Sequence, residues 1–377
     1  MNKGAVKSAV LEAGGKVLSV GWQDGTSSRI SAWWLRDHLP GNADGHSGQR
    51  FVDVMDLPAD PLLQHVEVID STVLLDWQDG VKASFATAWL AVHAVPPVPV
   101  TPKARLWLKA AGMTPTGDFS RTSLAALRDD DAVRARWLEG LLRDGLAFLH
   151  DVPRVEGTLL EAMAIIGTVP ETNYGYVFDV RAVPQPENLA YSDLGLGLHT
   201  DNPYREPVPG YQALHTLVAA PDGGDSLFTD GFAIAEHLRA TEPAAFALLT
   251  RVPVRFEYLS GNACLEADRP LIELGPHGEI DAVSYNNRSI RPPCLEPEAC
   301  EAFYAAYRQL AALLRDDRFQ MRTRLENGEL VVFDNRRVLH GRTAFSSARF
   351  PRHLQGCYLT RDSVHSTAGL LRRRLAC

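Results

Sequence analysis

His199-Thr200-Asp201 and, far downstream, His340 constrain this chain more than any other feature. Two imidazoles and one carboxylate can occupy one face of an Fe(II) ion and leave the opposite face open for a co-substrate and O2. A fold that uses them must bring two distant segments to one point. The alternation of a strand puts His199 and Asp201 on one face, so one short segment could supply two ligands. The run Val331-Val332-Phe333-Asp334-Asn335, followed by Val338-Leu339-His340, reads as a strand and turn that deliver the third. Arg352, twelve residues past His340, offers a guanidinium able to hold a carboxylate in a bidentate pair.

The 377 residues leave room for one large and one small domain. Apolar residues at 45% and charged residues at 22% describe an ordinary globular chain, and a net charge of −8 argues against a general nucleic-acid partner. No apolar run approaches the roughly 20 residues that span a bilayer. Met1-Asn2-Lys3-Gly4 lacks the apolar core of a signal peptide. The five cysteines (Cys264, Cys294, Cys300, Cys357, Cys377) are scattered and form no Cys-x-x-Cys, which suits reduced thiols in a cytoplasmic protein.

The first part of the chain contains an echo. Trp22-Gln23-Asp24-Gly25 recurs as Trp77-Gln78-Asp79-Gly80, and Trp34, Leu35 and His38 recur as Trp89, Leu90 and His93, always 55 residues on. Each unit reads as strand, Asp-Gly turn, strand and short helix, predicting a small β-rich domain over residues 1–94. Pro96-Pro97-Val98-Pro99 and Pro102 stiffen a connector over residues 95–120. In residues 121–377, helical spacing over Asp130–Leu142, Leu159–Ile166 and Glu298–Leu314 alternates with short strands. Phe303, Tyr307, Leu310 and Leu314 give the last helix one apolar face. The predicted fold is α+β, a double-stranded β-helix (jelly roll) with flanking helices.

Leu198-His199-Thr200-Asp201, Gly223-Gly224-Asp225-Ser226-Leu227-Phe228-Thr229-Asp230-Gly231-Phe232 and Phe333-Asp334-Asn335-Arg336-Arg337-Val338-Leu339-His340 together carry a resemblance. The chain resembles the γ-butyrobetaine hydroxylase branch of the Fe(II)/2-oxoglutarate dioxygenases, and more distantly taurine dioxygenase, from Trp34-Leu35-Arg36-Asp37-His38 to Tyr358. The resemblance implies that His199, Asp201 and His340 hold Fe(II), and that Arg352 and Ser226 hold carboxylates of 2-oxoglutarate. O2 is the further co-substrate, with ascorbate as reductant in vitro. It implies a homodimer that acts on a small molecule, while the charge and the apolar runs point to no nucleic-acid or membrane partner. Many relatives bind a structural zinc through cysteines after the Trp-Leu-Arg-Asp segment. This chain has Leu39, Gly41 and Asp44 there, so no zinc is expected.

Tyr174, Phe178, Tyr191 and Tyr358 match positions where such hydroxylases place an aromatic cage, and ring faces attract a quaternary ammonium. Packing in an ordinary core is the plain alternative. Asn188 and one of Asn286 or Asn287 match amides that bind the substrate's carboxylate. Asn202 stands where some relatives have an aromatic, and Arg288 where carnitine-forming relatives have an uncharged residue. A guanidinium with amides suits a doubly charged three-oxygen group better than a carboxylate. The reading therefore tilts to 2-(trimethylamino)ethylphosphonate, hydroxylated at the carbon bonded to phosphorus. Conversion of γ-butyrobetaine to L-carnitine is the alternative, followed by trimethyllysine hydroxylation and by a non-catalytic binder of quaternary ammonium compounds. For Arg288, the plain alternative is a surface salt bridge with Asp281 or Glu279.

Overall fold

A computed structural model describes residues 5–93, 104–107, 119–181, 194–345 and 352–376. The chain divides into two compact units, Met1–Pro99 and Val100–Cys377. Most of the Pro-rich connector, and both Asn188 and Tyr191, lie outside the described residues. Among the described residues, no helix is long and apolar enough to cross a membrane.

The first unit repeats one motif. β1 (Val6–Glu12), β2 (Val17–Trp22) and β3 (Ser27–Ser31) form one antiparallel sheet, followed by α1 (Ala32–Asp37). β4 (Leu63–Ile69), β5 (Thr72–Trp77) and β6 (Lys82–Ala86) form a second sheet, followed by α2 (Thr87–His93). Alternation on β2 and β5 buries Leu18, Val20 and Trp22 in one copy and Val73, Leu75 and Trp77 in the other, all in one core. His38 and His93 answer each other as the sequence does. Their Nδ1 atoms lie 2.8 and 2.9 Å from the carbonyls of Trp34 and Trp89, on whose rings they stack.

In chain order the second unit runs β7 (Ser120–Ser123), α3 (Leu124–Asp129), α4 (Asp131–Asp144), β8 (Leu146–His150), α5 (Thr158–Ala164), β9 (Phe178–Arg181), β10 (Leu196–His199), β11 (Tyr211–Val218) and β12 (Ser226–Asp230). It continues with α6 (Gly231–Thr241), α7 (Pro243–Arg251), β13 (Val254–Leu259), β14 (Cys264–Arg269), β15 (Ile272–Leu274), β16 (Ile280–Val283) and β17 (Ile290–Arg291). The last elements are α8 (Pro297–Leu314), β18 (Gln320–Thr323), β19 (Leu330–Asp334), β20 (Val338–Arg342), β21 (His353–Leu359) and α9 (Arg361–Ala376).

Two sheets build the jelly roll: a six-stranded one in the order β7-β8-β19-β11-β21-β9 and a four-stranded one in the order β10-β20-β12-β18. Strand β19 explains why its sequence is a continuous apolar run. Leu330 and Val332 pack under the helices, against Leu138, Leu141 and Leu159, while Val331 and Phe333 join Phe228, Met321 and Val338 of the four-stranded sheet. A strand covered on both faces has no polar side to show. Helix α4 starts where Asp130 accepts from the Ala132 and Val133 amides, a side-chain cap for otherwise orphaned donors.

Candidate active site

Strand pairing brings the distant histidines together. His199 at the end of β10 lies opposite His340 on β20, and Phe228 of β12 lies opposite His340 on the other side. The imidazole centroids are 4.3 Å apart. His199 Nε2 is 3.1 Å from Asp201 Oδ1, and His340 Nε2 is 4.0 Å from Asp201 Oδ2. One ligand atom from each of the three lies within 4.8 Å of the others. Two ligands at right angles, each about 2.1 Å from an ion, stand roughly 3 Å apart, so the His199–Asp201 edge fits a metal.

The protonation states suit the same use. His199 Nδ1 lies 2.9 Å from the Gly197 carbonyl, a hydrogen bond that commits that nitrogen's proton and turns Nε2 towards the site. Burial, and then the neighbouring His199, depress the His340 pKa to about 3, leaving a neutral ring with a lone pair. Burial pushes the Asp201 carboxyl up, but the adjacent His199 imidazole and the Arg288 charge outweigh it and hold the group well below the ordinary range. Two imidazole nitrogens and one carboxylate, converging on a point, form a donor set that could hold a divalent first-row metal.

Local strand geometry does not place Asp201, contrary to the alternation argument. β10 stops at His199, and Asp201 follows in a bend. What holds it is a buried amide on the turn after β19. Asn335 accepts from the Asp201 N–H at 2.8 Å and donates to the Asp201 carbonyl at 2.9 Å and to the Pro209 carbonyl at 3.2 Å. No pattern in the sequence singled out Asn335. Asn335→Ala leaves at least two buried backbone groups unpaired, each worth about 1–3 kcal/mol. We expect it to weaken metal binding severalfold and to lower the melting temperature by several degrees, in metal titration and thermal unfolding. Metal affinity equal to wild type would contradict the clamp.

Next to the histidines lies an anion-ready region. Ser226 pairs opposite Arg342, one alternation step from the Phe228–His340 pair. The Arg342 and Arg352 guanidinium carbons sit 5.5 and 5.4 Å from the Phe345 ring, and both side chains are buried. Burial, and then the Arg342 charge, depress the Arg352 pKa to about 10. Gly224 is required here: a Cβ would stand 3.2 Å from Arg352 Cδ and Nε, at a φ of +68° that side chains resist. Arg342 is a second guanidinium that sequence reasoning missed, although it stands two residues past His340.

Three of the four rings predicted as a cage, Tyr174, Phe178 and Tyr358, lie together, and Tyr191 is outside the described residues. Phe178 and Tyr358 are 5.2 Å apart and Tyr174 and Phe178 6.3 Å. Gly356 makes room for this, because any Cβ there would strike the Phe178 ring. Two further rings complete the cluster: Tyr258, 5.8 Å from Tyr174, and Tyr204, stacked 5.1 Å from Tyr258. Both were legible in principle, Tyr204 from its place three residues after Asp201 and Tyr258 from alternation with Val254 and Phe256. The Arg205 guanidinium already stands 6.0 Å from the Tyr174 ring, so the cluster has one cation against it.

Hydroxyls tie these rings to the metal-binding segment. Tyr174 Oη is 3.1 Å from Tyr204 Oη, Tyr204 donates to Asn202 Oδ1 at 2.6 Å, and Tyr358 donates to Asp201 Oδ2 at 2.9 Å. Burial raises the pKa of all three tyrosines, that of Tyr204 to about 12, so they stay protonated. Asn202 is buried at a φ of +53°, and its Nδ2 has no hydrogen-bond partner among the described residues.

The other predicted amides have different work. Asn286 donates to the Thr200 carbonyl at 3.0 Å and accepts from the Arg288 N–H at 3.1 Å. Asn287 donates to Tyr285 Oη at 3.0 Å and accepts from the Tyr307 hydroxyl. Asn286 thus fastens Arg288 to the residue between His199 and Asp201, and the Arg288 charge acts on both Asp201 and His340. Of the two acids suggested as its surface partners, Asp281 pairs with Arg336 and Arg361, and Glu279 accepts from the His277 N–H.

A jelly roll with two imidazoles and a carboxylate converging on one point defines a non-haem metal oxygenase site. Sequence comparison gives the family: residues 110–358 match the one described as taurine catabolism dioxygenase TauD, TfdA family, and the chain belongs to it. Residues 10–91 match the γ-butyrobetaine hydroxylase-like N-terminal family. The chain is 36% identical over 365 residues to the γ-butyrobetaine dioxygenase of Pseudomonas sp. (strain AK-1), covering 94% of each. It is 30% identical to the mitochondrial trimethyllysine dioxygenase of Gallus gallus, covering 92% of this chain and 84% of that one. An asparagine oxygenase solved with Fe(II), 3-hydroxyasparagine and succinate aligns at a TM-score of 0.50 and 25% identity, covering 63% of this chain and 83% of that one. This protein is an Fe(II)/2-oxoglutarate-dependent dioxygenase.

Proposed function

We propose that this dioxygenase hydroxylates 2-(trimethylamino)ethylphosphonate at the carbon bonded to phosphorus. The observation that carries the choice is Arg288: Asn286 accepts from its backbone N–H and donates to the Thr200 carbonyl, which sets this residue beside the segment of His199 and Asp201. A substrate with a cation at one end and a dianion at the other would lie between the aromatic cluster and this guanidinium, and so cross the metal face.

In this reading His199, Asp201 and His340 hold iron, while Arg352 and Ser226, joined by Arg342, hold 2-oxoglutarate. Bound there, the metal and its co-substrates supply oxidation of a C–H bond to C–OH, coupled to release of succinate and CO2. The remaining work is positioning. Tyr174, Phe178, Tyr204, Tyr258 and Tyr358 present ring faces to the trimethylammonium group, each good contact contributing roughly 0.5 to 2 kcal/mol. Asn202 is oriented by Tyr204 through its Oδ1, so its Nδ2 is the spare donor for a substrate oxygen. Asn188 and Tyr191 complete the site by resemblance. A homodimeric, cytoplasmic enzyme belongs to the same reading, on the resemblance and the scattered cysteines.

γ-Butyrobetaine is the second reading, favoured by the identity to the Pseudomonas enzyme. Arg288→Ala separates them. One charge-assisted contact is worth about 1.5–3 kcal/mol, so kcat/KM for the phosphonate falls about 10- to 100-fold, and for γ-butyrobetaine by a clearly smaller factor. Equal losses on both would remove Arg288 as the selector of the anion.

A further inference from the structure

Tyr358 stands at the meeting of two systems. Its ring is part of the aromatic cluster, 5.2 Å from Phe178, and its hydroxyl donates to Asp201 Oδ2 at 2.9 Å. Tyr358 is 4% exposed, and Asp201 beside it is half-buried. The other carboxylate oxygen, Oδ1, is the one 3.1 Å from His199 Nε2.

A carboxylate that is free to turn about its last bond can offer a metal one oxygen or two. An ion gripped by both oxygens has one fewer position for a co-substrate. A hydroxyl donor on Oδ2 takes up one of that oxygen's two lone pairs and resists rotation of the carboxylate, which favours Oδ1 as the metal's oxygen. We propose that Tyr358 is a positioning residue that fixes Asp201 as a one-oxygen ligand and links its orientation to the aromatic wall. Asn335 sets the backbone of Asp201, and Tyr358 sets its carboxylate. Strand β21 is suited to this, because Tyr358 pairs with Gln212 of β11 and the strand is held by β9 up to Gly356, two residues before it.

The link to the wall has a consequence for turnover, and this half rests on the proposed trimethylammonium substrate. A group seated against the Tyr358 ring restrains the hydroxyl on Asp201, so the open face is best ordered when substrate is present. Without the hydroxyl, 2-oxoglutarate is consumed with less regard to whether a substrate is bound.

Tyr358→Phe keeps the ring and deletes the hydroxyl. The first readout is Co(II) titration of the metal-free protein, with no substrate present. Loss of a group that orients a metal ligand typically costs 10- to 100-fold, and we expect affinity to fall about tenfold with the metal-free melting temperature nearly unchanged. The second is succinate released per hydroxylated product, which rises above one in the variant. Tyr358→Leu, lacking both ring and hydroxyl, shows the same metal loss together with a raised substrate KM. Metal affinity within twofold of wild type in Tyr358→Phe overturns the proposal. A loss confined to Tyr358→Leu also overturns it, since packing would then be the cause. If wild type turns over neither trimethylammonium compound, the substrate reading fails while the Co(II) titration still decides the role of Tyr358.

Discussion

Asp201→Asn brings 2-oxoglutarate-dependent succinate release to at least about three orders of magnitude below wild type, the equivalent of losing roughly 4 kcal/mol of barrier lowering. The substitution is nearly isosteric, so the Asn335 clamp on the Asp201 backbone remains, and Tyr358 can still donate to an amide oxygen. What disappears is the single negative charge among the three converging groups. The carboxyl is held ionised far below neutral pH, while His340 is neutral, so at physiological pH this anion alone offsets the charge of a divalent ion. Steady-state succinate assays with parallel Fe(II) titration under anaerobic conditions measure both losses. Activity within tenfold of wild type would mean that the metal is held elsewhere.

Arg337→Met destabilises the larger unit by about 3–5 kcal/mol, the cost of stranding a buried charge. Arg337 and Asp230 are 2% and 1% exposed, and the guanidinium meets both Asp230 oxygens at 3.0 and 2.9 Å. It also donates to the Arg143 carbonyl at 2.8 Å and the Arg105 carbonyl at 2.6 Å. Asp230 in turn accepts from the Trp107 and Phe232 amides, so it cannot move away to find water. Arg337 sits between Asn335 and His340 on the turn from β19 to β20, so the same lesion loosens the Asp201 clamp and a metal-binding ring. Urea unfolding reads the stability, and combining Arg337→Met with Asp230→Asn recovers part of it because no charge is then left unpaired. A single-variant loss below about 1 kcal/mol would show that this pair does not hold the turn.

The sequence disclosed most where a pattern is local. The apolar run of β19 and the turn to His340 were legible because burial on both faces writes itself into consecutive residues. The 55-residue echo was legible because two copies of one fold need the same tryptophans and Asp-Gly turns. Asp201 was identified, but for the wrong local reason: the strand ends at His199, and a side chain 134 positions away sets the Asp201 backbone. Such a bond leaves no periodic trace. Tyr204 and Tyr258 went unnoticed because aromatic residues read first as core, and only the folded hairpin of β13 and β14 brings Tyr258 to Tyr174. Asn286 and Asn287 read in the sequence as amides for a substrate anion, yet in the structure their amides bind protein groups, Asn286 the Thr200 carbonyl and Asn287 the Tyr285 and Tyr307 hydroxyls. Arg288 gains its place from that arrangement.

The choice of substrate is decided by succinate release from the wild-type enzyme with Fe(II), ascorbate and 2-oxoglutarate, run side by side on 2-(trimethylamino)ethylphosphonate and γ-butyrobetaine, with product identified by mass. If Arg288 selects the anion, kcat/KM is higher on the phosphonate, and one hydroxylated product forms per succinate. A higher kcat/KM on γ-butyrobetaine, or no stimulation by either compound, would contradict the proposed function.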